Sequence, residues 1–261
     1  MMQRVVILSA FLSPFRSGAE ACAEEVPLAL ADRFAFTIVT ARCARSLPRH
    51  DMLQGRIPIF RVGLGIPLDK WLFPFLAPFA ARRLHPTIIH AVLETFAGLA
   101  LCFCRWIVPS AKRVLTLQTT NRSFLKGPII GSPHIVTAIS SVLKRCAEER
   151  GRRDVTVIPN GIPLATIRNA CMRKAKVPGR ILFVGRLEPM KGVHTLLEAF
   201  ARIAREFPHS HLRIVGAGSC LSHLQSQISR IGLHDRVMLT GHIPPPAVYD
   251  EFAAAEIFCG L

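Results

Sequence analysis

Short runs of β-branched and aliphatic residues alternate with stretches of helical periodicity along most of this chain. The runs are short and are bounded by Gly, Pro and polar residues, so they are predicted to be strands. Strands that alternate with helices pair in parallel through right-handed crossovers. The sequence therefore predicts an α/β fold of doubly wound parallel sheets. The predicted strands are residues 5–10, 36–41, 56–62, 88–91, 113–118, 135–140, 155–159, 180–184, 212–215, 237–240 and 257–259.

The alternation lapses in one polar, basic stretch, residues 168–180, which holds Pro178 and Gly179. This composition is typical of a linker. We predict two Rossmann-like domains joined by a linker and expect the second to be incomplete, because it is short for a domain and stops on an uncovered strand. The predicted ranges are 1–165 for the N-terminal domain, 166–180 for the linker and 181–261 for the second domain.

One predicted helix, residues 71–84, is unusual because it is rich in aromatic residues and ends in Arg82 and Arg83. Pro74 and Pro78 are expected to interrupt it. Two interpretations stay open: a core or interdomain helix, or a helix lying on an anionic membrane surface. The other predicted helices are residues 19–30, 95–107, 141–150, 193–207, 221–231 and 247–255.

Two apolar segments raise the question of targeting. Residues 5–12 could form the centre of a signal peptide, but they also have the pattern of a buried strand and lead into a helical pattern. Residues 88–109 contain Glu94 and Arg105, which are costly inside a bilayer. We expect no transmembrane helix and a cytoplasmic protein, with peripheral attachment to the inner face of the membrane as an open option.

The net charge of +16 is unevenly distributed, since residues 1–180 hold 26 basic and 10 acidic side chains and the rest hold 7 of each. An anionic partner of the first part is one explanation: a membrane surface, a phosphorylated acceptor or nucleic acid. Ordinary Arg-rich solvated faces are the other. We predict no nucleic-acid partner, because the single Tyr and the Phe residues of apolar runs do not provide basic stacking platforms.

The eight cysteines are scattered without a C-x-x-C pair. Their spacing matches neither a zinc site nor a small disulfide framework, so reduced thiols are expected, as in a cytosolic protein. Acidic clusters and histidine pairs with metal-ligand spacing are also absent from the sequence. We therefore predict no metal and no cofactor.

The segment from Gly185 to Gly192 lies between a predicted strand and the most regular predicted helix. Open parallel sheets bind ligands beyond the carboxyl ends of their strands. Arg186 and Lys191 stand near a helix N-terminus, where free N–H groups and the helix dipole favour anions. The two cations could hold a diphosphate, although a solvated loop with ordinary surface cations explains the same residues.

This loop resembles the donor-phosphate loop of GT-B, family-4-type retaining glycosyltransferases. Six further segments resemble motifs of that family, and they occur in its order along nearly the whole chain. They are residues 17–20 (SGAE), 88–91 (IIHA), 136–140 (VTAIS), 157–162 (VIPNGI), 214–218 (IVGAG) and 237–241 (VMLTG).

The resemblance implies that a sugar passes from a nucleotide-diphosphate sugar to a lipid-linked or carbohydrate acceptor, with retention at the anomeric carbon. Arg186 and Lys191 would neutralise the diphosphate in place of a metal, and Gly18 would let the first loop approach the phosphates. Gln118 matches a position near the transferred sugar, and His90 belongs to a strand-end motif of the family; these two residues are the catalytic candidates.

The chain departs from the family pattern at two points. A histidine usually stands where Gln118 is, and Gln can hydrogen-bond a sugar hydroxyl but cannot shuttle a proton at neutral pH. The family's paired glutamates, eight positions apart, would fall beyond Leu261. We therefore expect weak donor binding and impaired turnover, and a donor-incompetent protein that binds only the acceptor is the alternative.

Two weaker candidates lie in the second domain. Gly216 and Gly218 follow a strand and mimic part of a dinucleotide fingerprint, but Leu221 replaces the third glycine, so a tight turn at the donor cleft is preferred to NAD binding. His242 follows another strand end. It could contact the donor, or it could be an ordinary loop residue.

Overall fold

The computed structural model describes residues 2–15, 18–120, 125–244 and 246–260. They form two compact units, which divide between Gly161 and Ile162. Both units are built on a parallel sheet with flanking helices, so the predicted α/β class with two Rossmann-like halves is confirmed. Within the described ranges, no helix has the length and apolarity needed to cross a bilayer.

The first unit contains an eight-stranded sheet in the order β3-β4-β2-β1-β5-β6-β7-β8. All neighbours are parallel except the edge strand β3, which pairs antiparallel with β4 and was not predicted. The strand order reverses between β1 and β5, which is where such sheets bind ligands. The strands are β1 (Arg4–Leu8), β2 (Ala35–Ala41), β3 (His50–Leu53), β4 (Ile57–Val62), β5 (Ile88–Val92), β6 (Lys112–Leu117), β7 (Ile135–Ala138) and β8 (Val155–Val157).

Helices cover this sheet because alternate strand residues are apolar and need burial on both faces. One face packs on the helix that contains Ala23, and the other on the helices that contain Phe73, Leu101, Ile129 and Leu143. These helices are α1 (Gly18–Leu30), α2 (Asp69–Arg83), α3 (Phe96–Ile107), α4 (Lys126–Gly131) and α5 (Ser141–Glu148).

Helix α2 is continuous, so the prediction that its prolines interrupt it was wrong. Pro74 and Pro78 are both buried. Their packing in the core offsets the loss of two backbone hydrogen bonds. The preceding turn is held by Asp69, which is fully buried and accepts hydrogen bonds from the backbone N–H groups of Leu64 (2.8 Å) and Gly65 (2.7 Å).

The second unit contains a four-stranded parallel sheet in the order β11-β10-β9-β12. Its core holds the apolar stripe that the sequence predicts on the helix after β9, including Val193, Leu197 and Phe200. The elements are α6 (Leu164–Arg173), β9 (Arg180–Val184), α7 (Val193–Ile203), β10 (His211–Val215), α8 (Leu221–Arg230), β11 (Val237–Gly241), α9 (Ala247–Ala254) and β12 (Ile257–Phe258).

The stretch predicted as a linker, residues 166–180, belongs to this second unit. Most of its first half is helix α6, which contacts α9. Arg173 forms an ion pair with Asp250 at 2.6 Å, and the N–H of Val177 donates to the carbonyl of Ala254 at 2.9 Å. The polar composition therefore reflects a largely exposed helix rather than a free connection.

Candidate functional site

The carboxyl ends of the second sheet's strands carry the residues predicted to bind the donor. The strand order reverses between β9 and β12, so the loop after β9 lies at the reversal point. Arg186 and Lys191 are in that loop, whereas Gly216 and Gly218 follow β10 and His242 follows β11. The structure thus brings five of the predicted residues to one edge of one sheet.

The loop after β9 is fixed at Leu187, whose side chain is fully buried. The N–H of Leu187 donates to the carbonyl of Ala217 at 2.9 Å, and its own carbonyl accepts from the N–H of Cys220 at 2.9 Å. Two residues before Leu187, directly after β9, the N–H of Gly185 donates to the carbonyl of Val215 at 3.0 Å. The backbone that carries Arg186 is therefore held on both sides by the loop after β10.

Glycine is required where these two loops cross. Gly216 has φ +147°, and a Cβ there would overlap the carbonyl oxygen of Gly185. A Cβ at Gly218 would likewise overlap the carbonyl of Leu187. Both positions need the absence of a side chain for close backbone approach. The Gly-x-Gly pattern is thus explained by packing against the loop after β9, with no need for a dinucleotide.

Arg186 is exposed and Lys191 is half-buried. Within the described ranges, neither side chain has a hydrogen bond or ion pair with the protein. Lys191 ends a 3₁₀ turn, and Gly192 then adopts a left-handed conformation (φ 63°) before α7 begins. Among the described residues no side chain caps α7, so its first N–H groups stay open to an anion.

Glu188 is a carboxylate in this basic loop that the sequence reasoning missed. Its two oxygens accept from the hydroxyl of Ser219 (2.6 Å) and from the N–H of Ser219 (3.2 Å). The hydrogen bond from the Ser219 hydroxyl lowers the pKa of Glu188. This carboxylate fastens the loop to the start of α8. The strand-loop-helix position of Ser219 was the only sequence signal for it.

Two further residues were predicted to bind the donor, His242 and Gly18. His242 is exposed just beyond β11, next to Gly241, whose carbonyl accepts from the N–H of Gly216 at 2.8 Å. Gly18, which was assigned to the same phosphate, belongs to the first unit. It is the first residue of α1, is exposed, and would have open space around a Cβ. The neighbouring Ser17 lies outside the described residues.

Gln118 lies at the carboxyl edge of the first sheet, directly after β6. Its side-chain amide pairs with that of Asn160 through two hydrogen bonds of 3.3 and 3.2 Å. Its side chain also contacts the thiol of Cys22 in α1. Asn160 was noted in sequence only as part of a motif, and the structure identifies it as the partner that orients Gln118.

A buried ion pair supports this edge and was not predicted. Glu94 and Lys126 are both buried, and their charged atoms lie 3.0 Å apart. Glu94 also accepts hydrogen bonds from the N–H groups of Gln118 (2.8 Å) and Thr119 (3.2 Å). The only sequence signal was a charged residue inside an apolar stretch. Glu94 therefore fixes the backbone that carries Gln118.

His90 does not reach this edge. It lies within β5 opposite Val114, four residues before Gln118 on the neighbouring strand, or about 13 Å along the strand direction. Its Nε2 is 2.7 Å from the hydroxyl of Thr116, which is 2.8 Å from that of Thr137. Burial lowers the pKa of His90 to about 4, so the ring is neutral at pH 7.

Metal ligands are not clustered in the described ranges: no group of three or more His, Cys, Asp or Glu side chains there could hold an ion. The cysteines of those ranges are free thiols.

Two α/β units, each built on a largely parallel sheet with polar loops at the carboxyl ends of its strands, are the architecture of a GT-B glycosyltransferase. The family model "Glycosyltransferase Family 4" matches residues 16–166, and the model "Glycosyl transferases group 1" matches residues 172–260. The chain belongs to this family of group 1, GT-B glycosyltransferases.

Curated relatives extend the match at moderate identity. The chain is 30% identical over 212 residues to an exopolysaccharide phosphotransferase of Streptomyces coelicolor, which covers 74% of this chain and 21% of that protein. It is 30% identical over 128 residues to the phosphatidyl-myo-inositol mannosyltransferase of Mycobacterium tuberculosis, covering 47% and 32% of the two chains. The chain thus spans a third or less of these relatives.

Solved structures share the fold. HepE of Anabaena, crystallised with UDP and glucose, superposes with a TM-score of 0.73 at 18% identity, covering 98% of this chain and 73% of HepE. Sucrose-phosphate synthase of Thermosynechococcus elongatus gives a TM-score of 0.77 at 18% identity, with 98% and 74% covered.

Proposed function

We propose that this chain carries the donor and acceptor edges of an enzyme that transfers a sugar from a nucleotide-diphosphate sugar to an acceptor. Retention at the anomeric carbon and a lipid-linked or carbohydrate acceptor complete the proposal, because the family resemblance implies them. The observation that carries it is the loop with Arg186 and Lys191 at the reversal point of a parallel sheet, where neither cation has a hydrogen bond or ion pair among the residues that the structure describes.

The physical case for a diphosphate rests on charge and preorganisation. Arg186 can donate two parallel hydrogen bonds to phosphate oxygens, and Lys191 adds a point charge. The open N–H groups of α7 add partial positive charge at the same place. Because Leu187 fixes the loop, these donors need little reorganisation when an anion arrives.

The same groups would assist the reaction itself. When the glycosidic bond to the donor breaks, negative charge develops on the departing diphosphate. Cations placed at that charge stabilise the transition state more than the ground state, which raises the rate. We assign this role to Arg186 and Lys191, and no metal is needed for it.

In the first unit we assign the transferred sugar or the acceptor to the edge around Gln118. Its amide can donate to and accept from sugar hydroxyls once its pairing with Asn160 opens. His90 is neutral and lies away from this edge, so we assign it no proton transfer. A lipid-linked acceptor would place the enzyme at the inner face of the cytoplasmic membrane, and the name of the mycobacterial relative supports that choice.

The first test is binding rather than turnover, because the chain spans only part of its relatives. Calorimetric titration with UDP, GDP and ADP should show one of them binding to the wild-type chain. Arg186→Ala and Lys191→Ala should each weaken that binding about tenfold to a hundredfold, the usual loss for a charged hydrogen bond. Arg202→Ala is the matched control, since this exposed arginine lies on α7 away from the loop.

Equal affinity in wild type and both loop variants would refute the donor site. Binding of an acceptor sugar without binding of any nucleoside diphosphate would instead favour the donor-incompetent alternative. Where transfer occurs, NMR of the product gives its anomeric configuration, and an inverted product would refute retention.

A further inference from the structure

The outward face of α2 is apolar, which is the reverse of an ordinary surface helix. Its buried side packs small and ring-bearing residues into the core, yet large apolar side chains also face solvent. As whole residues, Trp71, Phe75 and Phe79 are 60%, 55% and 57% exposed, and Trp106 at the end of α3 is 69% exposed. We call this surface the aromatic strip: Trp71, Leu72, Phe75, Leu76, Phe79 and Trp106.

The strip is continuous across two helices. Trp71 stacks edge-on against Phe96 at 5.0 Å, and Phe75 lies 5.3 Å from Phe103, whose ring is 6.3 Å from that of Trp106. Helix α2 follows β4 and leads into β5, so over about 22 Å it runs from the carboxyl edge of the sheet to the opposite edge.

Cations lie around the end of the aromatic strip that is opposite the carboxyl edge of the sheet. A pocket of about 710 Å³ is lined by Arg4, Arg82 and His85 beside Trp106. A second pocket, of about 540 Å³, lies along α2 and is lined by Arg49 and Arg83 beside Leu76 and Phe79.

Five cations at this end of the sheet are exposed and have no ion pair within the described ranges. They are Arg4, Arg82, Arg83, Arg105 and Lys112.

We propose that the aromatic strip and these flanking arginines dock the protein onto an anionic phospholipid surface. Exposed Trp and Phe rings insert at the level of lipid headgroups, while arginines near them bind the lipid phosphates. A second copy of the same face fits poorly, because it would bring two sets of like charges together. The role of this docking rests on the proposed function, which it deepens. Trp71 and Phe96 lie at the same carboxyl edge as Gln118, where a lipid-linked acceptor would be held.

Vesicle binding tests the docking without any nucleotide sugar, so it is independent of whether the chain transfers sugar. The full chain should float with phosphatidylcholine vesicles that contain phosphatidylglycerol, much less with phosphatidylcholine alone, and less again as salt rises. Both tryptophans of the chain belong to the strip. Their fluorescence should shift to the blue on anionic vesicles and be quenched by brominated lipid.

Variants of exposed residues separate the two contributions without touching the core. Phe75→Ser with Phe79→Ser should lower vesicle affinity at least tenfold, since two rings no longer leave water. The matched control is Phe207→Ser, an equally exposed phenylalanine of the second unit (59%).

Arg82→Ser with Arg83→Ser should lower affinity for anionic vesicles about thirtyfold at low salt, at roughly a kilocalorie per arginine. The matched control is Arg202→Ser with Arg205→Ser in the second unit. Absence of flotation by the wild-type chain would overturn the proposal, as would equal losses in the controls. So would a dimer in sedimentation experiments that buries the tryptophans and leaves no vesicle binding.

Discussion

At the carboxyl edge of the second sheet, Arg186 and Lys191 have no hydrogen bond or ion pair within the described ranges. At the same edge of the first sheet, polar side chains bind one another: Glu94 pairs with Lys126, and Gln118 pairs with Asn160. The second edge is shaped by backbone crossings and by the hydrogen bonds from Ser219 to Glu188, which leave its two cations without a hydrogen bond or ion pair in the described ranges. The first is shaped by side-chain pairs that use up their own donors and acceptors.

This difference determines which groups can contribute most to the free energy of ligand binding. Charges without internal partners can be given to a ligand at no loss of protein stability. Paired groups contribute to binding only after their protein contacts open, which lowers the net gain. We therefore expect substitution of the unpaired cations at the second edge to weaken binding with little change in stability. Substitution of the paired groups at the first edge should mainly lower stability.

The largest effect is expected where the second edge depends on backbone contact. Gly216→Ala places a methyl group against the carbonyl of Gly185 at φ +147° and should destabilise the second unit by about 4 kcal/mol. Hydrogen exchange of peptides from β9 and β10 measures this. Gly232→Ala is the control, since it also has a positive φ (+68°) but open space, and about 1 kcal/mol is expected. Equal losses would show that the crossing is not tight.

The buried ion pair should give the next largest effect. Glu94→Leu removes the carboxylate beside a buried ammonium and should destabilise the first unit by about 3 kcal/mol. Glu94→Leu with Lys126→Met should recover most of that loss, because no buried charge then remains. Urea unfolding followed by the fluorescence of Trp71 and Trp106 reports on this unit. A double variant as unstable as the single one would contradict the pair's role.

The polar interior of the first unit should also respond to pH. In the unfolded chain His90 titrates near the ordinary histidine pKa of 6.5, whereas burial lowers its native pKa to about 4. Between these values the unfolded state binds more protons, so stability should fall as pH drops from 6.5 to 4. We expect a loss of about 3 kcal/mol across this window.

His90→Gln should flatten that dependence while keeping a hydrogen bond to Thr116. His209→Gln, at an exposed position in the second unit, should leave it unchanged. The free energy of unfolding measured at several pH values decides this, and parallel curves for wild type and His90→Gln would refute the buried neutral histidine.

The smallest stability change is expected at the free cations. Arg186→Ala and Lys191→Ala should each alter the free energy of unfolding by less than about 0.5 kcal/mol, although they weaken diphosphate binding. Thermal unfolding without ligand measures this. A loss above about 1 kcal/mol in either variant would mean that these side chains hold the loop, and the contrast between the two edges would fail.

Most of the fold could be predicted from hydrophobic pattern, because period-2 and period-3.6 signals are local. The failures have specific causes. The edge strand β3 is short and has two polar residues, His50 and Asp51, so it lacks a strand pattern. Helix α6 is mostly exposed and lacks a broad apolar stripe. A proline inside a helix usually interrupts it, but in α2 the burial of both prolines in the core outweighs this local preference.

The candidate site was predictable only where it is contiguous in sequence. Arg186 and Lys191 lie in one motif, so spacing sufficed to place them. Glu94, Lys126 and Asn160 come from three separate elements that meet only after the sheet forms. The position of His90 relative to the edge could not be predicted either, because a motif shows that a residue is near a strand end but not how far it lies from the edge.

The crossing of Gly216 over Gly185 has a consequence for how this protein can change during evolution. Since the loop after β9 leaves no room for a side chain at Gly216 or Gly218, the loop after β10 cannot take a larger residue there unless the loop that carries the two cations also shifts. New donor preferences are then expected to arise from residues around this rigid frame, such as His242, while the frame itself stays constant.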